Sequence, residues 1–179
     1  MSKAFTKDND DAPEESFARV NELPLTAKNY VTPHGYAMLQ SELKGLAEAE
    51  RGEVARQLSI ALAASLDLEV APLKKRQREI EARIAYLTER IRMSEVVDPA
   101  KRPPTDRVYF GATVRFANRK GDERTIRIVG VDEVDIAAGA ISFVSPLAKA
   151  LLGASEGDSV PFAAPGGKDE LEILEVRYE

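Results

Sequence analysis

From Leu39 onward, apolar side chains recur mostly every three or four residues, at Leu39, Leu43, Leu46, Val54, Leu58, Leu62 and Leu66. That is the period of one face of an α-helix. Thr32 and Pro33 mark its start, a capping hydroxyl followed by a proline at the first helical position, where a missing N–H costs nothing. The stripe slips between Leu46 and Val54, where Glu50, Arg51, Gly52 and Glu53 intervene. A helix of about 34 residues extends roughly 50 Å at 1.5 Å per residue. The second pattern is cleaner: Leu73, Gln77, Ile80, Ile84, Leu87, Ile91 and Ser94 are spaced 4-3-4-3-4-3, a heptad seam. One narrow seam needs a partner, and the nearest is the first helix. The pattern predicts an antiparallel coiled-coil hairpin over residues 29–97, turning around Asp67 to Pro72. A hairpin this long projects from any small globule.

Pro99, Pro103 and Pro104 then stop the helix and stiffen a linker over residues 98–105. Beyond it the period changes to two. Thr113–Phe116 and Thr125–Val129 alternate around the turn Asn118–Asp122, and Ile141–Val144 reads as a further strand. Ser145-Pro146 repeats the cap-plus-proline start, and Gly153 ends a short helix. Val160–Ala163, the turn Pro165–Lys168 and Leu171–Tyr178 read as a closing hairpin. Residues 106–179 are thus predicted to form a small antiparallel sheet domain, and the chain as a whole is α+β.

Composition narrows the function. No run of 18 apolar residues exists, so no membrane span or membrane partner is expected. The chain has no cysteine and a single histidine, His34, which leaves no basis for thiolate chemistry, a histidine-rich metal site or a Ser-His triad. The absence of cysteine suits a reducing cytoplasm. A net charge of −5 argues against general nucleic-acid binding, so any such contact must come from a local basic patch. Residues 1–28, with Asp8, Asp10, Asp11, Glu14 and Glu15 close together, read as a disordered acidic extension.

Several stretches resemble one family. Val31-Thr32-Pro33-His34-Gly35-Tyr36, with Leu39 and Glu42-Leu43, is similar to the VTxxGYxxLxxEL opening of bacterial Gre-type transcription elongation factors. Glu50-Arg51-Gly52-Glu53-Val54 resembles their ERPEV, and Lys74-Lys75-Arg76-Gln77-Arg78-Glu79-Ile80-Glu81 the KKRLREID of the GreB branch. Phe110–Val114, Arg127–Gly130, Asp132-Glu133, Ile141-Ser142, Ser145–Leu151, Glu156–Asp158 and Pro165–Gly167 continue the likeness in order. The resemblance covers roughly residues 30–179. It implies an FKBP-like C-terminal domain that docks at the rim of the RNA polymerase secondary channel. The coiled coil then enters, and its acidic tip reaches the catalytic centre. There the tip acids help hold a second Mg²⁺ and orient a water, so that the polymerase cuts its own backtracked RNA; hard oxygen ligands suit that weakly held ion.

On this resemblance the tip acids are Asp67 and Glu69, sharing Mg²⁺ with the polymerase, and no cofactor is tightly bound. The cluster Lys74, Lys75, Arg76, Arg78 and Arg83 has two readings. One is a patch facing the RNA 3′ end, since Lys and Arg neutralise phosphates. The other is a solvated face with a Glu79–Arg83 pair worth a few tenths of a kcal/mol. Asp132, Glu133, Ser145, Pro146 and Lys149 are the candidate polymerase-docking residues. The partners implied are RNA polymerase and, through it, the nascent RNA and DNA; the factor itself is expected to be a monomer and not an enzyme.

The tip departs from the family's GDLSENAEY. It reads Leu66-Asp67-Leu68-Glu69-Val70-Ala71-Pro72-Leu73 and lacks the glycine, asparagine and tyrosine. Pro72 is expected to force Ala71 out of the helical region and rebuild the turn. Two outcomes therefore stand: a factor that stimulates cleavage, or one that occupies the channel without cleavage and competes with active factors. Alternatives of another class are an FKBP-like prolyl isomerase or chaperone and a coiled-coil adaptor.

Overall fold

The computed structural model describes residues 28–164 and 167–178. The acidic extension, apart from Lys28, and the turn residues Pro165 and Gly166 lie outside them. The chain divides into two compact units. One comprises residues 28–104 together with Tyr178, and the other residues 105–177.

The first unit is the helical hairpin. Strand β1 (Asn29–Val31) leads into α1 (Pro33–Gly45), and Thr32 caps the helix as expected, its Oγ1 accepting from the Gly35 amide at 3.0 Å. A π-helical segment (Leu46–Glu50) joins α1 to α2 (Arg51–Ala63), and α3 (Asp67–Arg92) returns. Strand β2 (Ser94–Val96) then pairs in parallel with β1. The core is the predicted seam: Ile80 and Leu87 of α3 are fully buried among Val31, Leu39, Leu46 and Val54, with Leu43, Leu73, Ile84 and Ile91 packed alongside.

The π segment explains the slip in the first stripe. In a regular heptad the positions after Leu46 would be 50, 53, 57 and 60. The covered residues are instead Val54, Leu58 and Ala61, each one residue later, and one wide π turn absorbs that extra residue. In consequence Leu62 and Leu66, expected on the stripe, are about half exposed, and Ala61 is buried in their place.

The turn also differs from expectation. Its residues are Ala64, Ser65 and Leu66, not Asp67–Pro72. The Leu66 amide donates to the Ala61 carbonyl at 2.9 Å and the Ser65 amide to that of Leu62 at 3.3 Å, a Schellman closure. The left-handed position falls on Ser65, at φ 55°, where glycine is the usual residue. Pro72 sits inside α3, and Ala71 remains helical. The proline lies in the second turn, at an exposed end where losing one backbone hydrogen bond is tolerated.

Gly45 and Gly52 lie in helical backbone, and a Cβ added at either meets nothing within 4 Å. Gly45→Ala and Gly52→Ala are therefore expected to stabilise the hairpin by about 0.5–1 kcal/mol each. The thermal midpoint of the helical circular-dichroism signal checks this.

The second unit is built on a five-stranded sheet of order β5-β4-β3-β7-β6, with β3 (Ala112–Asn118), β4 (Glu123–Val129), β5 (Ala140–Ser142), β6 (Ser159–Ala164) and β7 (Gly167–Tyr178). The pairs β3–β4 and β6–β7 are antiparallel. The predicted all-antiparallel sheet is corrected at one edge, where short β5 runs parallel to β4. A parallel neighbour needs a crossover, which the 3₁₀ turn Val131–Glu133 and the loop to Gly139 supply. Alternate residues of β3 (Ala112, Val114, Phe116) are buried with Ile126, Ile128, Leu171 and Ile173. Helix α4 (Pro146–Leu151) adds Ala148 and Leu151 to this core. Ser145 caps α4 through the Ala148 amide at 3.2 Å, and Gly153 follows it at φ 89°, both as expected.

Candidate functional site

Seven-residue periodicity organises the flanks of the hairpin as well as its seam. Arg76, Arg83 and Arg90 recur every seventh residue of α3 and reach across to the first arm. Arg76 Nη2 lies 2.6 Å from Glu50 Oε2. Arg83 forms a two-pronged pair with Glu42, at 2.7 and 2.9 Å. Arg90 Nη2 donates to Asn29 Oδ1 at 2.7 Å. Glu42 and Glu50 are eight residues apart rather than seven, because the π turn lies between them. The Arg83 guanidinium, chiefly by hydrogen bonding, holds the Glu42 carboxyl below its ordinary range. That pair is intact at neutral pH and weakens only as the pH falls through the lowered value. Each such exposed pair contributes no more than about 1 kcal/mol; together they set the register of the two arms.

This arrangement divides the basic cluster. Arg76 and Arg83 are engaged with the first arm, and Glu79 pairs with Lys75 at 3.9 Å and Arg76 at 3.7 Å rather than with Arg83. Lys74 and Arg78, four residues apart on one helix face, make no ion pair among the described residues. Lys74 and Arg78, with Lys75 held only by its long 3.9 Å contact to Glu79, remain the side chains available to phosphate.

At the base, Asn29 is buried. Its Nδ2 donates to the Arg90 carbonyl at 3.2 Å and to Ser94 Oγ at 3.3 Å, and the Val97 amide closes on the Val31 carbonyl at 2.9 Å. These bonds clasp the ends of the two arms together, leaving the turn at Ser65 as the free end. α3 alone runs 26 residues, about 39 Å at 1.5 Å per residue.

At that free end Asp67 and Glu69 are the first and third residues of α3. Carboxylates in a first turn complement the unpaired amides there, worth about 0.3–1 kcal/mol. Two residues along a helix correspond to roughly 200° of rotation, so the two side chains leave opposite sides of the axis. The helix backbone therefore does not set the two carboxylates side by side on one face. Among the described residues no three His, Cys, Asp or Glu side chains gather as a metal-ligand set. Leu68, between the two acids, is 93% exposed.

In the second unit the candidate docking residues converge. Val129 pairs with Ser142 across the parallel β4–β5 pair, and the Phe143 amide donates to the Val129 carbonyl at 2.9 Å. Asp132 and Glu133, in the turn after β4, and Ser145, Pro146 and Lys149, after β5, therefore leave the same end of the sheet. Glu133 Oε2 accepts from the Gly130 amide at 3.0 Å and holds that turn. The loop between them exposes Ile136, an apolar side chain that the strand and helix periodicities do not mark.

Residues 29–96 match the family model described as "Transcription elongation factor, N-terminal" and residues 103–178 that described as "Transcription elongation factor, GreA/GreB, C-term". The chain is 44% identical over 154 residues to a Neisseria meningitidis protein named transcription elongation factor GreB, covering 84% of this chain and 94% of that one. It is 38% identical over 156 residues to a Helicobacter pylori protein named transcription elongation factor GreA, covering 85% and 94%. Among solved structures it is similar to a GreA factor homolog, Gfh1, from Thermus thermophilus (24% identity, TM-score 0.40, covering 84% and 99%). A GreA/GreB factor from Nitrosomonas europaea is comparable (24% identity, TM-score 0.38, covering 86% and 100%).

Proposed function

Because the chain belongs to the GreA/GreB family of transcription elongation factors, we propose that it binds RNA polymerase through residues 105–177 and inserts its hairpin into the secondary channel. There it occupies the place of a cleaving factor without supplying a metal cradle. The observation that carries this reading is the placement of Asp67 and Glu69 on opposite sides of the first turn of α3. Asp132, Glu133, Ser145, Pro146 and Lys149 form the docking surface, while Lys74, Lys75 and Arg78 lie along the extruded RNA. The protein acts in the cytoplasm with the polymerase, as a monomer, and any catalysis belongs to its partner. The elongation-factor names of its relatives give no support to the prolyl isomerase alternative.

Stimulation of the polymerase's own transcript cleavage is the second reading, favoured by the extent of the motif likeness to the GreB branch. A backtracked elongation complex separates the two. The full chain alone is expected to stimulate no cleavage at any Mg²⁺ concentration, and to slow cleavage by an added active Gre factor. In the same complex, changing Lys74, Lys75 and Arg78 to alanine is expected to weaken crosslinking to the RNA 3′ end. Cleavage by the chain alone, abolished by Asp67→Ala with Glu69→Ala, would establish the second reading. Failure to bind core polymerase would remove both.

A further inference from the structure

The free end of the hairpin carries an open cleft of about 390 Å³ between α2 and α3, lined by Gln57, Ile60, Leu68, Glu69, Pro72 and Leu73. Its apolar walls are unusual at so exposed a place: Leu68 stands 93% exposed and Ile60 about half exposed. Its polar side chains are Gln57 and Glu69. Glu69 supplies the one charged side chain of the lining. Pro72 has no N–H, so the Leu68 carbonyl four residues earlier is denied its usual helical donor. The cleft thus combines a greasy wall with a carboxylate, beside a helix carbonyl whose i+4 residue has no N–H to give. Gln57 offers amide donors, but its Nε2 is directed to Glu53 Oε1 at 2.7 Å.

We propose that this cleft is a socket for a lysine or arginine side chain of the polymerase, projecting from the wall of the channel the hairpin enters. The proposal deepens the channel-occupancy reading and rests on it. A long cationic side chain is amphipathic along its length: its methylene stem lies on Ile60, Leu68 and Leu73, and its head meets Glu69 and the freed Leu68 carbonyl. Charge selects this occupant over the others. A phosphate backbone entering the cleft meets the Glu69 carboxylate, which repels it. A second copy of the tip would set one Glu69 against the other. The binding residues are therefore Leu68 and Glu69, with Pro72 acting through the carbonyl it leaves open. This gives the divergent tip a grip on the polymerase that needs no metal.

The test uses the full chain on a backtracked elongation complex, reading the concentration that half-blocks cleavage by an active Gre factor, with core polymerase affinity measured alongside. Leu68→Ser and Glu69→Lys are expected to raise that concentration about tenfold, the equivalent of one charge-assisted hydrogen bond or one buried apolar side chain. Leu68 is too exposed for its replacement to disturb the hairpin, and far-UV circular dichroism verifies this. Pro72→Ala, which restores a donor to the Leu68 carbonyl, is expected to raise the concentration a few-fold. A photocrosslinker in place of Leu68 is expected to label a polymerase segment bearing lysine or arginine. Crosslinking to RNA or to a second copy would overturn the socket. Equal losses at Asp67→Asn and Glu69→Gln that depend on Mg²⁺ would overturn it in favour of metal binding. Unchanged competition by all the variants would overturn the socket while leaving channel occupancy standing. Absence of polymerase binding by the unaltered chain would overturn both.

Discussion

Ile80→Ala combined with Leu87→Ala is expected to melt the hairpin while residues 105–177 stay folded. Both side chains are essentially inaccessible and face the first arm's Leu39, Leu46 and Val54. Truncating each leaves a cavity in a seam only two helices thick, at about 2–5 kcal/mol apiece. The sum approaches the whole stability of an ordinary small domain, about 5–15 kcal/mol. The exposed ion pairs of Arg76 and Arg83 cannot compensate, since each contributes about 1 kcal/mol or less. The cores of the two units are separate, that of the sheet being built from Val114, Ile128, Leu151 and Ile173. Thermal unfolding should therefore show an early loss of helical signal followed by a sheet transition near its original temperature. The double variant should retain polymerase affinity but lose competition with a cleaving factor. A single transition shifted as a whole would contradict the independence of the units.

The seam of α3 was legible because every position of its 4-3 spacing is covered, from Leu73 through Ser94. A helix with one narrow apolar face leaves little room for another reading. The helix starts at Thr32-Pro33 and Ser145-Pro146 were equally plain, since a cap hydroxyl and a proline act locally. The first arm was legible only as far as Leu46. A π turn has no side-chain signature of its own and shows itself only as a phase error, here the eight-residue step to Val54. That error carried the stripe onto Leu62 and Leu66, when the buried residue is Ala61, too small to stand out in a hydrophobic pattern. The turn was missed for a related reason: the left-handed residue is Ser65, and the signal expected at such a place is glycine. With the turn misplaced, the register between arms was unknown, and Arg76 and Arg83 could not be matched to Glu50 and Glu42. The separation of Asp67 from Glu69 around the helix axis likewise needed the turn located first.

The π segment can be tested directly, by deleting Ala49. Removing this exposed residue changes the step from Leu46 to Val54 from eight to seven, and that from Glu42 to Glu50 likewise. Both then match the seven-residue spacing of the facing arm, whose Arg76 and Arg83 are seven apart. A regular α-helix replaces the π turn, and its improved hydrogen-bond geometry offsets the loss of one residue. The deletion is thus expected to leave hairpin stability unchanged or raised, with both ion pairs retained. The same operation on the other arm has the opposite sign. Deleting Glu81, also exposed, rotates everything beyond it by roughly 100° about the axis of α3. Ile84, Leu87 and Ile91 then leave the seam, and a burial worth several kcal/mol is lost. Denaturant titration of the two deletions, followed by the helical signal, decides the matter: a midpoint held or raised for Ala49 and collapsed for Glu81. Equal destabilisation by both would mean that the extra residue in the first arm is not accommodated by the π turn.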